Sequence, residues 1–353
     1  MQWPLNIGVV APRVAPLAEA QPYGNHVFLA DLACGLRDRG HDVVVYAAEG
    51  SVLPGVPVDP VRVDMAAQRR FLVLRDHERD EAEAMRRSFD RLFDRLRARR
   101  HDVVSQHAFN APAINANVDM PALHTLHLPP MHEEVVAAAR RCRQRLASVS
   151  ESCARQWEAA TARDIIALPN GVPDVAVDRR SPDAVALMAG RISREKGFAA
   201  GLRVARRAGL AAVIVGEIYD ETYFPADVMP ELRGATLRSA MPRIALRQWM
   251  QRAAVVLMPI EWDEPFGLVA AEAQLAGCPV VGYARGALPD IVANGIGGFL
   301  VAPGDEDALV DAIGAARRLD RTTIREQALP RFSMSACIER YENVLRSLAE
   351  HHR

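Results

Sequence analysis

The chain has 353 residues, half of them hydrophobic, and this length predicts two domains because single cores stop growing at roughly 250–300 residues. A formal net charge of -1 gives no overall attraction to nucleic acid or to an anionic membrane, so an anionic ligand needs a local basic site. The five cysteines form no Cys-x-x-Cys pair, which argues against a disulfide scaffold or a zinc cluster and is typical of a reducing cytoplasm.

Short apolar runs alternate with amphipathic helices in the first half of the chain. The predicted strands are Leu5–Val10, Val43–Ala47, Val103–Ser105, Ala122–Leu126, Leu146–Val149 and Ile165–Leu168. The predicted helices include His26–Arg39, which ends at Gly40, and Glu78–Arg100, which has one densely charged face. Because the strands are rich in Val, Ile and Leu and do not alternate with polar residues, they are typical of a parallel sheet that is covered on both faces.

The second half repeats this alternation. The predicted strands are Val185–Ala189, Ala211–Val215, Ala254–Met258, Pro279–Tyr283 and Gly298–Val301. The predicted helices are Phe198–Ala208, Ile244–Arg252, Leu268–Ala276, Asp305–Leu319 and, after a break at Pro330, Ser335–Ala349. The pattern predicts two doubly wound α/β domains. Turn formers near Asn170 place the domains at 1–168 and 169–334, and the packing of a C-terminal helical segment, 335–353, on one domain or the other is left open.

Three cations follow the predicted strand Val185–Ala189, namely Arg191, Arg194 and Lys196. They precede a predicted helix, whose N-terminal N–H groups and dipole favour an anion. Arginine binds phosphate in a bidentate way and lysine adds a point charge. The pattern favours a diphosphate ligand, and its alternative is a solvated turn with a surface Arg–Glu pair.

Two carboxylates follow the predicted strand Ala254–Met258. Glu264 precedes the predicted helix Leu268–Ala276, and Glu272 lies just over one turn inside it. Carboxylates accept hydrogen bonds from sugar and ribose hydroxyls, and we expect both to face one cleft. Three backbone N–H groups are expected to point at an anion there, those of Phe266, Gly267 and Leu268. The alternative for Glu272 is an exposed surface carboxylate.

In combination these motifs resemble the retaining glycosyltransferases of family 4. The matching segments are Gly190-Arg191 with Lys196-Gly197, Glu264-Pro-Phe-Gly-Leu with Glu272, Gly277-Cys-Pro-Val-Val, Gly286-Ala-Leu-Pro-Asp290 and Asn294-Gly-Ile-Gly-Gly-Phe299. The resemblance implies the GT-B architecture, which is two facing Rossmann-like domains, doubly wound around parallel sheets. The first would be the acceptor side and the second would bind the nucleotide sugar, with closure about Asn170-Gly-Val172.

The resemblance also implies roles by position. Arg191 and Lys196 would hold the donor diphosphate and stabilise the leaving nucleotide, while Glu264 would bind hydroxyls of the donor sugar and Glu272 the ribose. The backbone N–H groups of Phe266, Gly267 and Leu268 would donate hydrogen bonds to the phosphate and the sugar. A retaining front-face displacement is implied. Neither a metal nor another cofactor is expected, because the basic pair and the helix dipole would neutralise the diphosphate.

The first half resembles the family less closely. His127 would reach the donor sugar, and His107 stands where relatives also carry histidine, although a lone histidine is more often structural. Gly24 permits close approach of the backbone to a phosphate. Tyr23 replaces a second glycine of the family, and Ser239 replaces a glycine near the base, so the donor and the acceptor stay undetermined.

The expected partners are a UDP-, GDP- or ADP-sugar and a hydroxyl acceptor, a small molecule or a glycan, and no nucleic acid. The alternatives are a nucleotide-sugar epimerase of similar fold and a non-catalytic nucleotide-sugar binding protein. An NAD(P)-dependent oxidoreductase is disfavoured because no Gly-x-Gly-x-x-Gly follows the first predicted strand.

A cytoplasmic, soluble protein is expected, because the chain shows neither a signal peptide nor an apolar run near the roughly 18 residues of a membrane helix. Four arginines near a helix end leave membrane association open, Arg140, Arg141, Arg143 and Arg145. The mixed charges on Glu78–Arg100 do not form a membrane-binding face, so a soluble acceptor is favoured.

Overall fold

The computed structural model describes residues 3–12, 16–17, 24–61, 79–116, 119–176 and 182–352. The chain divides into two compact units, the first formed by Met1–Gly171 with Cys337–Arg353 and the second by Val172–Ala336. The assignment of the first unit to the acceptor and the second to the donor stays a prediction.

The first unit contains a parallel sheet with the strand order β3-β2-β1-β4-β5-β6-β7. Its strands are β1 Asn6–Val10, β2 Asp42–Ala48, β3 Val58–Val61, β4 Val103–Gln106, β5 Ala122–Leu126, β6 Arg145–Ser148 and β7 Ile166–Ala167. Its helices are α1 Gly24–Asp38, α2 Arg79–Arg99, α3 Ala111–Asn115, α4 Glu133–Arg141, α5 Glu151–Thr161 and α12 Met334–Glu350, most of which belongs to this unit.

The second unit contains a parallel sheet with the strand order β10-β9-β8-β11-β12-β13. Its strands are β8 Val185–Ala189, β9 Ala211–Val215, β10 Thr236–Arg238, β11 Val255–Met258, β12 Val280–Tyr283 and β13 Gly298–Val301. Its helices are α6 Phe198–Arg207, α7 Arg243–Arg252, α8 Leu268–Leu275, α9 Leu288–Ile291, α10 Glu306–Ala316 and α11 Arg321–Phe332. Between these lie single turns of 3₁₀ helix at Arg194–Lys196 and Met229–Glu231 and a π-helical turn at Phe224–Val228.

The central strands of both sheets are buried because helices cover them. Residues of β1 pair in parallel register with β2 on one side and β4 on the other, for example Val9 with Val45 and with Ser105. In the second unit β11 is buried along its whole length and pairs with β8 and β12. Buried β-branched and aliphatic side chains on such strands supply most of the core of each unit.

The GT-B prediction of two parallel-sheet α/β domains is confirmed. The sequence pattern missed the edge strands β3 and β10 and the helices α3, α4, α5, α9 and α11. Pro330 lies inside α11 rather than in a break, two residues before that helix ends at Phe332, where it removes one donor from the last turn. Tyr23, and Glu78 at the start of the predicted charged helix, lie outside the described residues.

A buried charge network fixes the C-terminal helix α12 to the first unit. The Glu342 carboxylate accepts from Arg39 and from Arg346 Nη2 at 2.9 Å, and its Oε1 lies 3.2 Å from His41 Nε2. Arg346 also donates to the carbonyl oxygen of Trp3 at 2.8 Å. Since a buried charge is costly without partners, these contacts specify where α12 docks.

Candidate functional site

The loop that follows β8 is held by two close backbone approaches. Gly190 has φ +135, its N–H donates to Val215, and a Cβ on Gly216 would lie 1.8 Å from the Gly190 carbonyl oxygen. At the end of the loop Gly197 has φ +68, and a Cβ there would lie 2.0 Å from the carbonyl oxygen of Pro259. Only glycine fits at these crossings, so the loops after β8 and β11 lie against each other.

The three cations of this loop have different surroundings. The Arg191 guanidinium lies 4.6 Å from the centre of the Tyr219 ring and 3.9 Å from Glu195 Oε1. Arg194 pairs with Asp227 at 3.0 Å and is the most exposed of the three. The Arg194 guanidinium also lies over an aromatic ring, 5.0 Å from the centre of that of Tyr223, so both arginines contact aromatic rings and Arg194 is in addition paired with Asp227.

Lys196 contacts Glu264, 68 residues further along the chain. Lys196 Nζ lies 2.5 Å from Glu264 Oε2, and the two side chains are only 17% and 13% exposed. Trp262 Nε1 donates to the same oxygen at 2.7 Å. Both contacts use one oxygen, and within the described part of the chain Oε1 makes no hydrogen bond, so it can accept one from a ligand hydroxyl.

The backbone of Glu264 is fixed by the loop that follows β12. Ala287 donates to the Glu264 carbonyl oxygen at 2.8 Å, and a Cβ on Gly286, where φ is +55, would lie 2.3 Å from the Glu264 nitrogen. The strands β8, β11 and β12 are neighbours, so their carboxyl ends gather this loop cluster at one edge of the sheet.

Helix α8 begins at this cluster. Gly267 is its N-cap with φ 94 and ψ 62, and the Glu264 Cγ would lie 3.6 Å from a Cβ built there. Phe266 is buried against Phe332 at a ring-centre distance of 6.1 Å. Leu268 opens the helix; the N–H groups of Ala270 and Ala271 donate to the Gly267 carbonyl oxygen, and the N–H groups before them at such a helix start favour an anion.

Glu272 is buried inside α8 and paired with two arginines of α7. Its Oε1 lies 3.3 Å from Arg243 Nε and 3.5 Å from Arg247 Nη2, and Glu272 itself is 6% exposed. The exposed-carboxylate alternative is wrong. Glu264 and Glu272 thus have separate partners, and the role of Glu272 toward ribose stays a prediction.

The histidines of the first unit form a buried cluster. His107 and His127 follow the neighbouring strands β4 and β5, and His107 Nδ1 lies 2.9 Å from His127 Nε2. Ser105 Oγ lies 2.8 Å from His107 Nε2, and Phe28 packs on both rings. The stacked Tyr341 ring, 5.9 Å from that of His107, closes the cluster from α12.

Burial makes this cluster neutral near pH 7. Burial lowers the pKa of His127 to about 4, with a smaller contribution from His26, and burial likewise lowers the pKa of His26 to about 4. Burial, with His127 next, also lowers the pKa of His107 well below its ordinary value. The same cause lowers the pKa of His124 to about 4. Neutral imidazoles donate and accept hydrogen bonds, so the cluster suits uncharged polar groups.

The single Asp-x-Asp triplet of the sequence, Asp305-Glu306-Asp307, lies at the start of α10. Asp305 caps the first turn, Glu306 pairs with Arg203 at 2.5 Å, and Asp307 pairs with Arg207. Within the described ranges, no group of three or more His, Cys, Asp or Glu side chains is arranged to hold a metal ion. The expectation that no metal is needed stays a prediction.

Two family models match adjoining parts of the chain. The model described as Glycosyltransferase Family 4 matches residues 24–175, and the model described as Glycosyl transferases group 1 matches residues 175–318. Together they extend over most of both units. The chain belongs to the GT-B glycosyltransferases of the family 4 type.

Solved structures share the fold of this glycosyltransferase. AviGT4, which is involved in avilamycin A biosynthesis, is 20% identical with a TM-score of 0.72, and the match covers 98% of each chain. Sucrose-phosphate synthase from Thermosynechococcus elongatus is 18% identical with a TM-score of 0.79, covering 98% of this chain and 99% of that one. Anabaena HepE in complex with UDP-glucose is 18% identical with a TM-score of 0.71, covering 97% of this chain and all of that one.

Matches to curated relatives are shorter. A D-inositol 3-phosphate glycosyltransferase of Streptomyces griseus is 48% identical over 69 residues, which is 20% of this chain and 14% of the relative. An uncharacterised 41.2 kDa protein of the cps region of Klebsiella pneumoniae is 28% identical over 167 residues, 46% of each chain. The glycosyltransferase therefore spans less than half the length of these relatives.

Several residues of the candidate site carried no prediction from sequence. They are Trp262, Tyr219, Arg243, Arg247 and His26. Trp262 could have been found, since it stands two residues before Glu264. Of the predicted positions outside the loop cluster, Gly24 is the exposed first residue of α1, and Ser239 is exposed just after β10. Within the described residues, the glycosyltransferase has no helix both long and apolar enough to cross a bilayer.

Proposed function

We propose that the protein transfers a sugar from a nucleoside diphosphate sugar to an acceptor hydroxyl, with retention at the anomeric carbon. The observation that carries this proposal is the partly buried contact of Lys196 Nζ with Glu264 Oε2 beside the start of α8. A cation, a carboxylate and a helix N-terminus together match a ligand that carries both phosphates and hydroxyls.

The cations act on the diphosphate in this proposal. Lys196 and Arg191 hold the phosphate oxygens, and the N–H groups of Phe266, Gly267 and Leu268 supply further donors. As the bond to the sugar breaks, negative charge develops on the leaving β-phosphate. Preorganised cations and helix N–H groups stabilise that charge more than the ground state, which accelerates the reaction without a metal ion.

The carboxylates and the histidine orient the donor. Glu264 accepts hydrogen bonds from sugar hydroxyls through Oε1, while Oε2 stays with Lys196 and Trp262. Glu272 accepts from the ribose, His127 contacts the donor sugar as a neutral imidazole, and Gly24 allows its backbone to approach the phosphate.

The transfer step is a front-face displacement. The acceptor oxygen forms a bond to the anomeric carbon while the bond from that carbon to the β-phosphate oxygen breaks. The acceptor proton passes to the departing phosphate oxygen, so the products are the glycoside and the nucleoside diphosphate. This route needs no protein nucleophile.

The test is incubation of the full chain with UDP-, GDP- and ADP-sugars, with and without pools of small-molecule and glycan acceptors. UDP-sugars come first because HepE, which shares the fold, was solved with UDP-glucose. We expect acceptor-dependent release of nucleoside diphosphate and, by NMR, a product with the anomeric configuration of the donor. Acceptor-independent conversion of one nucleotide sugar into another indicates an epimerase, and binding without any turnover indicates a binding protein; either result overturns the proposal.

A further inference from the structure

Two arginines on one helix converge on a single oxygen of Glu272. Arg243 and Arg247 lie one turn apart on α7, at 3.3 Å and 3.5 Å from Glu272 Oε1. Arg247 is 4% exposed and Glu272 is 6% exposed, so this contact is shielded from water. Two guanidinium groups on one oxygen of a buried carboxylate fix the rotation of that carboxylate.

Arg247 is itself held in place. Its Nη1 donates to the carbonyl oxygen of Pro173 at 2.6 Å, and Gln251, one turn further along α7, donates to the carbonyl oxygen of Ala176 at 2.8 Å. The guanidinium therefore bridges the segment at the start of the second unit and the Glu272 carboxylate. Because the planar guanidinium of Arg247 has fixed partners, it is a rigid support that a lysine ammonium does not replace.

We propose that Arg247 and Arg243 are positioning residues that set the preference of the site for nucleotides carrying ribose hydroxyls. They hold Glu272 through Oε1 and turn Oε2 toward the ribose, so that Oε2 accepts a hydrogen bond from the 2′- or 3′-hydroxyl. This inference rests on the proposed function, because it takes a nucleoside diphosphate as the ligand. Arg247 is the buried anchor, and Arg243, with a 29% exposed side chain, is the outer support.

The experiment measures the ratio of the dissociation constants of two nucleotides rather than the affinity for one. Dissociation constants are determined by calorimetry for the ribonucleoside diphosphate that the wild-type protein binds best and for its 2′,3′-dideoxy analogue. We expect the wild-type protein to prefer the ribonucleotide at least tenfold, because a charge-assisted hydrogen bond is lost with the hydroxyls. In Arg247→Met we expect the ratio to fall to about twofold, with the loss confined to the ribonucleotide; in Arg243→Gln it falls less.

Controls separate positioning from folding. Arg252→Met alters an arginine at the end of the same helix that pairs with Asp183 at 2.8 Å, and it should leave the ratio unchanged. Arg247→Lys should recover only part of the ratio. If Arg247→Met does not fold, Arg243→Gln at the more exposed position carries the same measurement.

The outcomes distinguish this inference from the proposed function. A folded Arg247→Met that keeps the wild-type ratio, or that weakens both nucleotides equally, overturns the positioning role while leaving nucleotide binding intact. A wild-type protein that binds no nucleoside diphosphate overturns the proposed function, and this inference with it.

Discussion

Near the carboxyl ends of the parallel strands the two units carry different kinds of polar group. In the second unit these groups are charged side chains with partners, half-buried Lys196 with Glu264 and buried Glu272 with two arginines. In the first unit they are imidazoles whose pKa values burial lowers, such as those of His107 and His127. Both units place these groups just after parallel strands, so the fold alone does not decide their charge.

The difference follows from what surrounds each group. An opposite charge within about 4 Å offsets the loss of hydration of a buried charge, whereas burial among aromatic rings and other histidines favours the uncharged form of an imidazole. In the proposed function the charged part of the ligand therefore binds to the second unit, and the neutral imidazoles of the first unit contact uncharged hydroxyls.

The largest effect is expected from removing the cation that faces Glu264. Lys196→Ala loses a charge-assisted contact of about 1.5–3 kcal/mol, so affinity for the nucleoside diphosphate should fall at least tenfold, and Arg191→Ala should act in the same direction. Calorimetry measures both. The matched control is Arg194→Ala, because Arg194 belongs to the same loop but pairs with Asp227. Unchanged affinity in both Lys196→Ala and Arg191→Ala would show that the diphosphate lies elsewhere.

Glu264 and Glu272 should differ in the part of the donor that each binds. Glu272→Gln should weaken binding of the free nucleoside diphosphate about tenfold, since the ribose loses a charged acceptor. Glu264→Gln should leave that binding nearly intact and slow transfer, because its partner is the sugar. Calorimetry and turnover of the same preparations decide the question, with the midpoint of thermal unfolding as the control for the buried Glu272 pair. The reverse pattern would exchange the two roles.

The neutral histidines predict a pH dependence of stability. The folded pKa of His26, His124 and His127 is about 4, against 6.5 for an unperturbed histidine. The unfolded chain therefore binds more protons between these values. The free energy of unfolding should be highest above about pH 6.5 and fall as the pH falls toward 4.

Urea unfolding of the full chain between pH 4.5 and 7.5 measures this slope. His124→Gln should reduce it by at most about 1.4 kcal/mol per pH unit, the contribution of one proton. The exposed His351→Gln serves as the control. An unaltered slope in His124→Gln would mean that His124 titrates alike in the folded and unfolded chain, and the contrast between the units would weaken.

The smallest expected effect is that of chelation. If Lys196, Arg191 and the start of α8 neutralise the diphosphate, transfer should proceed at an unchanged rate in EDTA. Turnover assays with and without the chelator measure this. If EDTA abolishes activity and magnesium or manganese restores it, then a metal ion, rather than these residues alone, neutralises the leaving diphosphate.

The sequence predicts the apolar strands β8, β9 and β13 well, because each is an uninterrupted apolar run with a glycine directly beside it. It does not reveal β3, which contains Asp59 and Pro60, or the fully exposed β10, because edge strands need not be apolar. Helix α5 is missed because its mixed composition shows no clear stripe, although it buries Trp157.

The residue types of the candidate site are predictable, but their pairing is not. Motif spacing places Lys196 and Glu264 after neighbouring strands, yet only the folded loops show that the two side chains touch. Glu264 and Glu272 have two distinct sets of partners, because helix α7, with Arg243 and Arg247, supplies charges that no local pattern assigns to Glu272.

The docking of α12 has a consequence for synthesis on the ribosome. The first unit includes Met1–Gly171 and Cys337–Arg353, so its last helix emerges only after the entire second unit has been translated. Until then Arg39 and His41 lack the Glu342 carboxylate, and the histidine cluster lacks the Tyr341 ring. The second unit, which is continuous in sequence, can finish folding first. The first unit therefore cannot be completed before the second has been translated, and the unfinished N-terminal segment is the part of the nascent chain that a chaperone would have to protect longest.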